Sequence, residues 1–267
     1  IKIDPNVSYE DAAFIPLASV ALQSIRNLDP KIGENINVIG LGIVGLLVVK
    51  ILIANGCNVF ASDLSEERLS LARMFGAKAA TPDEFYSLVM SQTEVGSDSS
   101  IICTSTNSNE VISNSIGVTK KRGAIVLVGT AGMNLNRQMF YDKEIKFEVS
   151  SSYGPGRYDP LYESKGIDYP ISYVRWTLNR NFKAINDLLA NRKISFKDLV
   201  SKTFSFNHHG VNDAYKATEK RDNLGIIFDY ESGSGQLKTE TKITLHKPTE
   251  ISGIKLGIIG TGMHARR

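Results

Sequence analysis

Apolar residues recur at helical spacing from Ala12 to Leu28. Ser8 with Asp11 three residues on makes a capping box ahead of that run, and Asp29-Pro30 ends it. A β-prone stretch, Asn35 to Ile39, leads into Gly40-Leu-Gly-Ile-Val-Gly45, after which an apolar run continues through Ile53 and stops at Asn55-Gly56. The pattern predicts strand, glycine turn and helix. A second strand over Asn58 to Ser62 ends at Asp63, and Ser65 opens an amphipathic helix closed by Gly76. Short apolar strands follow at Ser100 to Thr104, Gly123 to Gly129 and Ile145 to Val149, with a helix over Glu110 to Val118 between the first two. After Ser150 the pattern weakens. Gly154-Pro155-Gly156 breaks the chain, a helix falls within Tyr173 to Asn191, a shorter one covers Val211 to Glu219, and a strand covers Leu224 to Tyr230.

Strands that alternate with helices imply crossover connections and hence a parallel sheet. The expected fold class is α/β, a Rossmann-type doubly wound parallel sheet in the order 3-2-1-4-5-6, occupying residues 1–230 with a return helix and strand. Residues 231–253 are polar and begin with Glu231-Ser-Gly-Ser-Gly235, the composition of a linker. Residues 254–267 read as the strand and glycine turn of a second dinucleotide-binding domain, stopping before its helix is complete. The chain opens at Ile1 without an initiator Met, so its start reads as a trimmed or excised boundary.

A pyrophosphate needs a tight backbone turn, close approach of the main chain, and a helix N-terminus whose free N–H groups and dipole favour negative charge. In Gly40-Leu-Gly-Ile-Val-Gly45 the first glycine permits the turn and Gly42 the approach. Gly45 lets the helix pack on the first strand, and Ile43 and Val44 lie in the helix's opening turn. The context matters more than the six residues: the turn follows a strand, opens a helix, and is followed by Asp63, 21 positions beyond Gly42, at the end of the next strand. Asp63 has two readings that stay open, a carboxylate for the adenosine ribose hydroxyls of NAD or an N-cap for the helix near Ser65.

The run Asp11 to Arg26, the glycine turn, Asp63 through Ala77, Lys121 to Gly129, Phe140 to Ile145 and Ala214 to Tyr230 together resemble the medium-chain dehydrogenase/reductase family. That resemblance implies Arg68 beside the adenosine ribose, Thr104 on the adenine side, and Gly129, Thr130 and Ala131 with Ser152 and Tyr153 near the nicotinamide. It also implies NAD as cofactor and a possible homodimer contact near Met133 to Gln138. Ser152 to Tyr158 and Asp168 to Trp176, with Gly260 to Arg266, resemble bi-domain oxidoreductases that join such a module to a Gfo/Idh/MocA-type sugar dehydrogenase module. The implied function is hydride transfer to or from a carbonyl or alcohol, with a sugar or sugar nucleotide as substrate. The alternative is a non-catalytic NAD-binding or assembly module supporting an adjoining sugar dehydrogenase. Two departures stand out: the family's GroES-like catalytic domain does not precede the first helix, and Ile15 stands where zinc-dependent members place a Glu or Cys. No metal site is expected, because an aliphatic side chain has no lone pair.

Composition narrows the partners. The chain is 42% hydrophobic and 22% charged, an ordinary globular mixture. With 31 basic against 28 acidic residues, and the basic ones scattered, no stripe follows a phosphate backbone, so nucleic acid is not an expected partner. The longest apolar stretch, Ile36 to Ala54, is broken by Asn37, Lys50 and glycines, so no membrane span is expected. Cys57 and Cys103 read as reduced, buried thiols, which suits a cytoplasmic setting. His208-His209 lacks ligand partners at metal spacing, and Lys120-Lys121-Arg122 reads as a solvated turn before a strand. Tyr169, Tyr173 and Trp176 read as packing at helix-like spacing, and Tyr153, Arg157 and Tyr158 as able to approach a substrate. No catalytic acid or base is assigned, since none can be argued without a pocket.

Overall fold

Six parallel strands lie side by side in the order β3-β2-β1-β4-β5-β6: β1 Asn35–Ile39, β2 Asn58–Ser62, β3 Lys78–Ala80, β4 Ser97–Ile102, β5 Thr119–Leu127 and β6 Lys146–Val149. The computed structural model describes residues 1–220 and 222–230, which belong to one unit, Ile1–Tyr230. The linker and the second glycine turn expected beyond residue 230 lie outside the described residues. The helices are α1 Tyr9–Ala13, α2 Ile15–Leu28, α3 Ile43–Ala54, α4 Glu66–Met74, α5 Pro82–Thr93, α6 Glu110–Val118, α7 Arg137–Lys143, α8 Pro160–Lys165, α9 Leu178–Ala190 and α10 His208–Thr218. A second, two-stranded parallel sheet pairs β7 Val200–Ser205 with β8 Gly225–Asp229.

Successive side chains of a strand point to opposite faces, and here they sort into separate clusters. Val38, Ala61, Ile101 and Val126 pack with α2, α3, α4 and α9, whereas Phe60, Ile102, Ile125 and Leu127 pack with α5, α6 or α7. The sheet is thus covered on both faces. Helix α3 is apolar all round because it is covered all round: Leu46, Leu47, Val48, Val49 and Leu52 are fully buried, and each is worth about 1.5–3 kcal/mol relative to exposure. Lys50 is the exception. Its ammonium lies 3.9 Å from the centre of the Phe75 ring and donates to the Ser195 carbonyl and Asp198, both at 2.8 Å. Asn37, the other polar interruption, is fully buried in the sheet and satisfied by Ser97 and Ser100, and Ser100 in turn meets Thr119.

Several expectations need correction. The first helix is two, split at Phe14, because Pro16 has no N–H to continue α1; Ser8 caps α1 by accepting from the Asp11 N–H. The sixth strand of the expected order is β3, only three residues long. Its helix α5 opens with a Thr81 N-cap, Pro82 and two acids, a start signal the periodicity did not separate. Strand β4 ends at Ile102, not Thr104. Lys120, Lys121 and Arg122 do not precede β5 but bulge out of it, where the register jumps from Ser97 opposite Thr119 to Ser99 opposite Ala124; Lys121 and Arg122 are exposed, as a solvated turn would be. Residues 166–177 are not helical, so the spacing of Tyr169, Tyr173 and Trp176 has no helix beneath it. Strand β7 and helices α7 and α8 were not anticipated. Met133 to Gln138 lies in an exposed loop that runs into α7. No helix among the described residues is long and apolar enough to cross a membrane.

Candidate functional site

In a parallel sheet the register decides which residues leave together at the carboxyl edge. Ile39 is paired with both Ser62 and Ile102, Ile102 with Leu127, and Leu127 with Val149. Asp63, Gly40, Thr104, Gly129 and Ser152 follow within three residues of that row, so nearly every residue singled out in the sequence lies along one edge. The strand order reverses between β1 and β4, where the connections diverge and leave a crevice outside the strand ends.

The glycine turn lies at that crevice. Gly40 has φ +91°, a left-handed conformation, and its N–H donates to the Ser62 carbonyl at 2.8 Å. Gly42 is the N-cap of α3, with no side-chain cap, and a Cβ built there would meet nothing within 4 Å. The first intrahelical bond is Leu46 N–H to the Gly42 carbonyl, so the opening N–H groups of Ile43, Val44 and Gly45 have no carbonyl behind them in the helix. Open space beside uncapped donors is a cradle for an anion. Gly45 is where the helix comes close: a Cβ there would fall 1.9 Å from the carbonyl oxygen of Gly40, the residue directly after β1.

Asp63 holds the turn in shape. Its Oδ2 accepts from the Leu41 N–H at 2.6 Å, its Oδ1 accepts from the Ser65 N–H at 3.0 Å, and the Arg68 guanidinium lies 3.8 Å away. The helix-cap reading of Asp63 is overturned, since the N-cap of α4 is Ser65, whose hydroxyl accepts from the Arg68 N–H. Thr104 joins the turn to the next loop. Its methyl group would be 2.7 Å from a Gly40 Cβ, its carbonyl accepts from the Thr130 N–H at 3.0 Å, and its hydroxyl oxygen is buried without a partner. A hydroxyl left so costs about 1–3 kcal/mol, which a polar ligand group in the crevice would offset. Thr130 is further tied by Ser105, their hydroxyls 3.0 Å apart, and Ala131 packs on the cluster around Ile102.

Ser152 is on the same edge but built differently. It has φ +49° without being glycine, and among the described residues no hydrogen bond joins it directly to the glycine turn. Ser150, two residues before it, has a buried hydroxyl oxygen without a partner. The Tyr153 carbonyl accepts from Asn181 at 2.8 Å, and the Tyr153 ring meets Phe182 edge-on. Arg157 pairs with Glu163, lies 4.4 Å over the Tyr158 ring, and leaves its Nε buried without a partner. Sequence reasoning missed the anchor of this segment: fully buried Asn181, which also bonds Gln23 and Arg26 of α2. Those residues are about 155 positions apart in the chain, and no local pattern links them.

Both cysteines are free, and burial pushes the Cys103 thiol up to about 12, so it stays neutral. Ile15 is buried, and among the described residues no three His, Cys, Asp or Glu side chains lie close enough to share a metal ion. A cavity of about 590 Å³ lies away from the cradle, between the N-terminal segment and the β7–β8 sheet. It contains none of the singled-out residues.

Known proteins share this fold. Residues 44–164 match the family model for the zinc-binding dehydrogenases. The chain is 36% identical over 84 residues to (R,R)-butanediol dehydrogenase of Bacillus subtilis, covering 31% of this chain and 24% of that protein. It is 24% identical over 214 residues to a probable D-xylulose reductase A of Aspergillus clavatus, covering 77% and 53%. In fold it is similar to the crystal structure of 2R,3R-butanediol dehydrogenase from Bacillus subtilis, with a TM-score of 0.69 at 22% identity, over 86% of this chain and 60% of that one. The chain spans from a quarter to about half the length of these curated relatives. The turn of α3, the crevice and the strands to β6 therefore make up a domain similar to that of the zinc-binding, medium-chain alcohol dehydrogenases.

Proposed function

We propose that the chain is the nucleotide-binding part of an NAD-dependent oxidoreductase that moves hydride between the cofactor and an alcohol or carbonyl group presented by a neighbouring domain. The observation that carries this reading is the cradle at Gly42, open and uncapped, with Asp63 clamped on Leu41 beside it. The N–H groups of Ile43, Val44 and Gly45 hold the pyrophosphate. The carboxylate of Asp63, with Arg68 next to it, receives the adenosine ribose hydroxyls. Thr104 lines the adenine side, while Gly129, Thr130, Ala131 and Ser152 border the nicotinamide. When bound, that ring supplies the hydride chemistry; the chain's own residues bind it, orient it and keep its reactive face toward the substrate. Relatives named for butanediol and xylulose support a hydroxyl-bearing small molecule as substrate, with a sugar or sugar nucleotide as the first class to assay.

Asp63 decides between cofactors. Its carboxylate sits where a 2′-phosphate would have to go, and Leu64 and Ser65 after it bring no cation. Calorimetric titration of the chain with NAD(H) and NADP(H) tests the reading: NAD(H) binds more tightly. Equal or tighter binding of NADP(H) overturns it.

A further inference from the structure

Trp176 is the chain's single tryptophan, and two guanidinium groups stack on it. The Arg26 guanidinium carbon lies 3.2 Å from a ring centroid and that of Arg175 lies 3.8 Å away. Arg26 comes from the last turn of α2 and Arg175 from the irregular segment before α9. Arg26 is not free to swing away. Its Nε donates to Asn181 Oδ1 at 2.7 Å, and Asn181 is held in turn by Gln23 and by the Tyr153 carbonyl.

What these cations lack is a counter-charge. Among the described residues neither has a carboxylate within ion-pair distance. The acids on the surrounding elements are engaged elsewhere: Asp168 with Arg180 at 2.9 Å, Glu163 with Arg157, Asp159 with the Tyr169 hydroxyl, and Glu148 with the Asn27 amide. Burial and then the charge of Arg175 bring the Arg26 pKa down to about 10, still well above neutrality, so the Arg26 side chain stays charged. Next in the chain, the Thr177 hydroxyl is fully buried and has no hydrogen-bond partner. Holding two like charges together on one ring is unfavourable unless an anion joins them.

We propose that Arg26 and Arg175, clamped on Trp176, form a binding site for the oxyanion group, phosphate or carboxylate, of a small-molecule ligand. A guanidinium is a planar fork that meets such a group with two parallel hydrogen bonds, and stacking on the indole fixes the plane of each fork in advance. The Asn181 to Tyr153 bond connects the site to the loop that carries Ser152. Among the described residues no hydrogen bond ties Arg26 or Arg175 to the glycine turn, so occupation of the site does not require a bound dinucleotide.

Because Trp176 is the only tryptophan, its fluorescence reports on this site alone. The chain is titrated with inorganic phosphate and, in parallel, with acetate, at ionic strength held constant with chloride. The expected result is a saturable fluorescence change in the millimolar range that weakens at least tenfold in Arg175→Gln, an exposed position where the fold is retained and its circular dichroism matches the parent. Saturation by phosphate alone assigns a phosphate-bearing ligand; saturation by both assigns oxyanions generally. A non-saturating change equal to that of chloride overturns the proposal, leaving the two arginines as a structural clamp only. A phosphate response of unchanged strength in Arg175→Gln overturns it as well, because the anion then binds without the Arg175 fork.

Discussion

The crossover from β1 to β2 and the segment between β6 and α9 end on the same edge of the sheet, yet they are built on opposite terms. In residues 35–63 the polar groups that shape the strand and its turn are satisfied inside the region or by the neighbouring strand: Asn37 by Ser97 and Ser100, Leu41 by Asp63. The left-handed positions, Gly40 and Gly56, are glycines. In residues 150–177, left-handed conformations fall on Ser152 and Tyr158 as well as on three glycines, and Ser150, Arg157 and Thr177 each bury a polar atom without a partner. The first region takes its shape from its own backbone. The second is held from outside, by Asn181, Gln23 and Arg26. Left-handed residues other than glycine and unpartnered polar atoms thus gather in the second region, not in the first.

The sharpest way to break this contrast is within the glycine turn itself. Gly45→Ala puts a methyl group 1.9 Å from a backbone oxygen, and a loss of about 3 kcal/mol or more is expected in urea unfolding, at the upper end of overpacking costs. Gly42→Ala meets no atom within 4 Å at an ordinary φ of −64°. Its stability should stay within about 0.5 kcal/mol of the parent, while NADH affinity falls about tenfold, or roughly 1.4 kcal/mol. If the two variants unfold alike, the division of labour between them is wrong.

Asn181→Leu tests the outside support of the second region. It removes one acceptor and two donated bonds at a fully buried position, and about 2–3 kcal/mol should be lost, since each stranded partner is expensive. Proteolysis within residues 150–177 should quicken before the β1–β2 crossover is touched. Cleavage at the same rate as in the parent would show that the segment holds itself.

Asp63→Asn keeps the shape of the side chain and removes its charge. The bond from Leu41 N–H weakens, for a stability loss of about 1 kcal/mol, and the preference for NAD over NADP should shrink by about tenfold. An unchanged preference would confine Asp63 to holding the turn. The smallest effect is expected at Ser152→Gly, where relief of the left-handed backbone should raise stability by about 0.5–1 kcal/mol, read as a higher melting temperature. A lower one would mean that the Ser152 side chain makes up for its conformation.

The same contrast governs what could be read in advance. Strands β1 and β2, the turn and α3 were legible because each rests on short-range chemistry: an apolar run, a glycine where φ must be positive, a cap at Ser65. The whole strand order followed from alternation, even though β3, three residues long, was too short to be seen. The split of α1 from α2 was written in Pro16, but a continuous apolar period concealed it. The aromatic residues of 169–176 were misjudged because spacing alone cannot tell a helix from an irregular segment anchored by two arginines.

By itself, then, the order of residues determined the parallel sheet, the position of the glycine turn at its edge and the acid that follows it, because hydrophobic period and backbone stereochemistry act over a few residues. Tertiary structure decided which partner each of these finds. Only folding showed that Asp63 bonds Leu41 rather than capping α4, that Gly45 presses on Gly40, and that Arg26 and Arg175 share Trp176. Those contacts join residues far apart in the chain, and their energies depend on burial and on neighbouring charge, quantities that exist only once the sheet and its helices have closed around them.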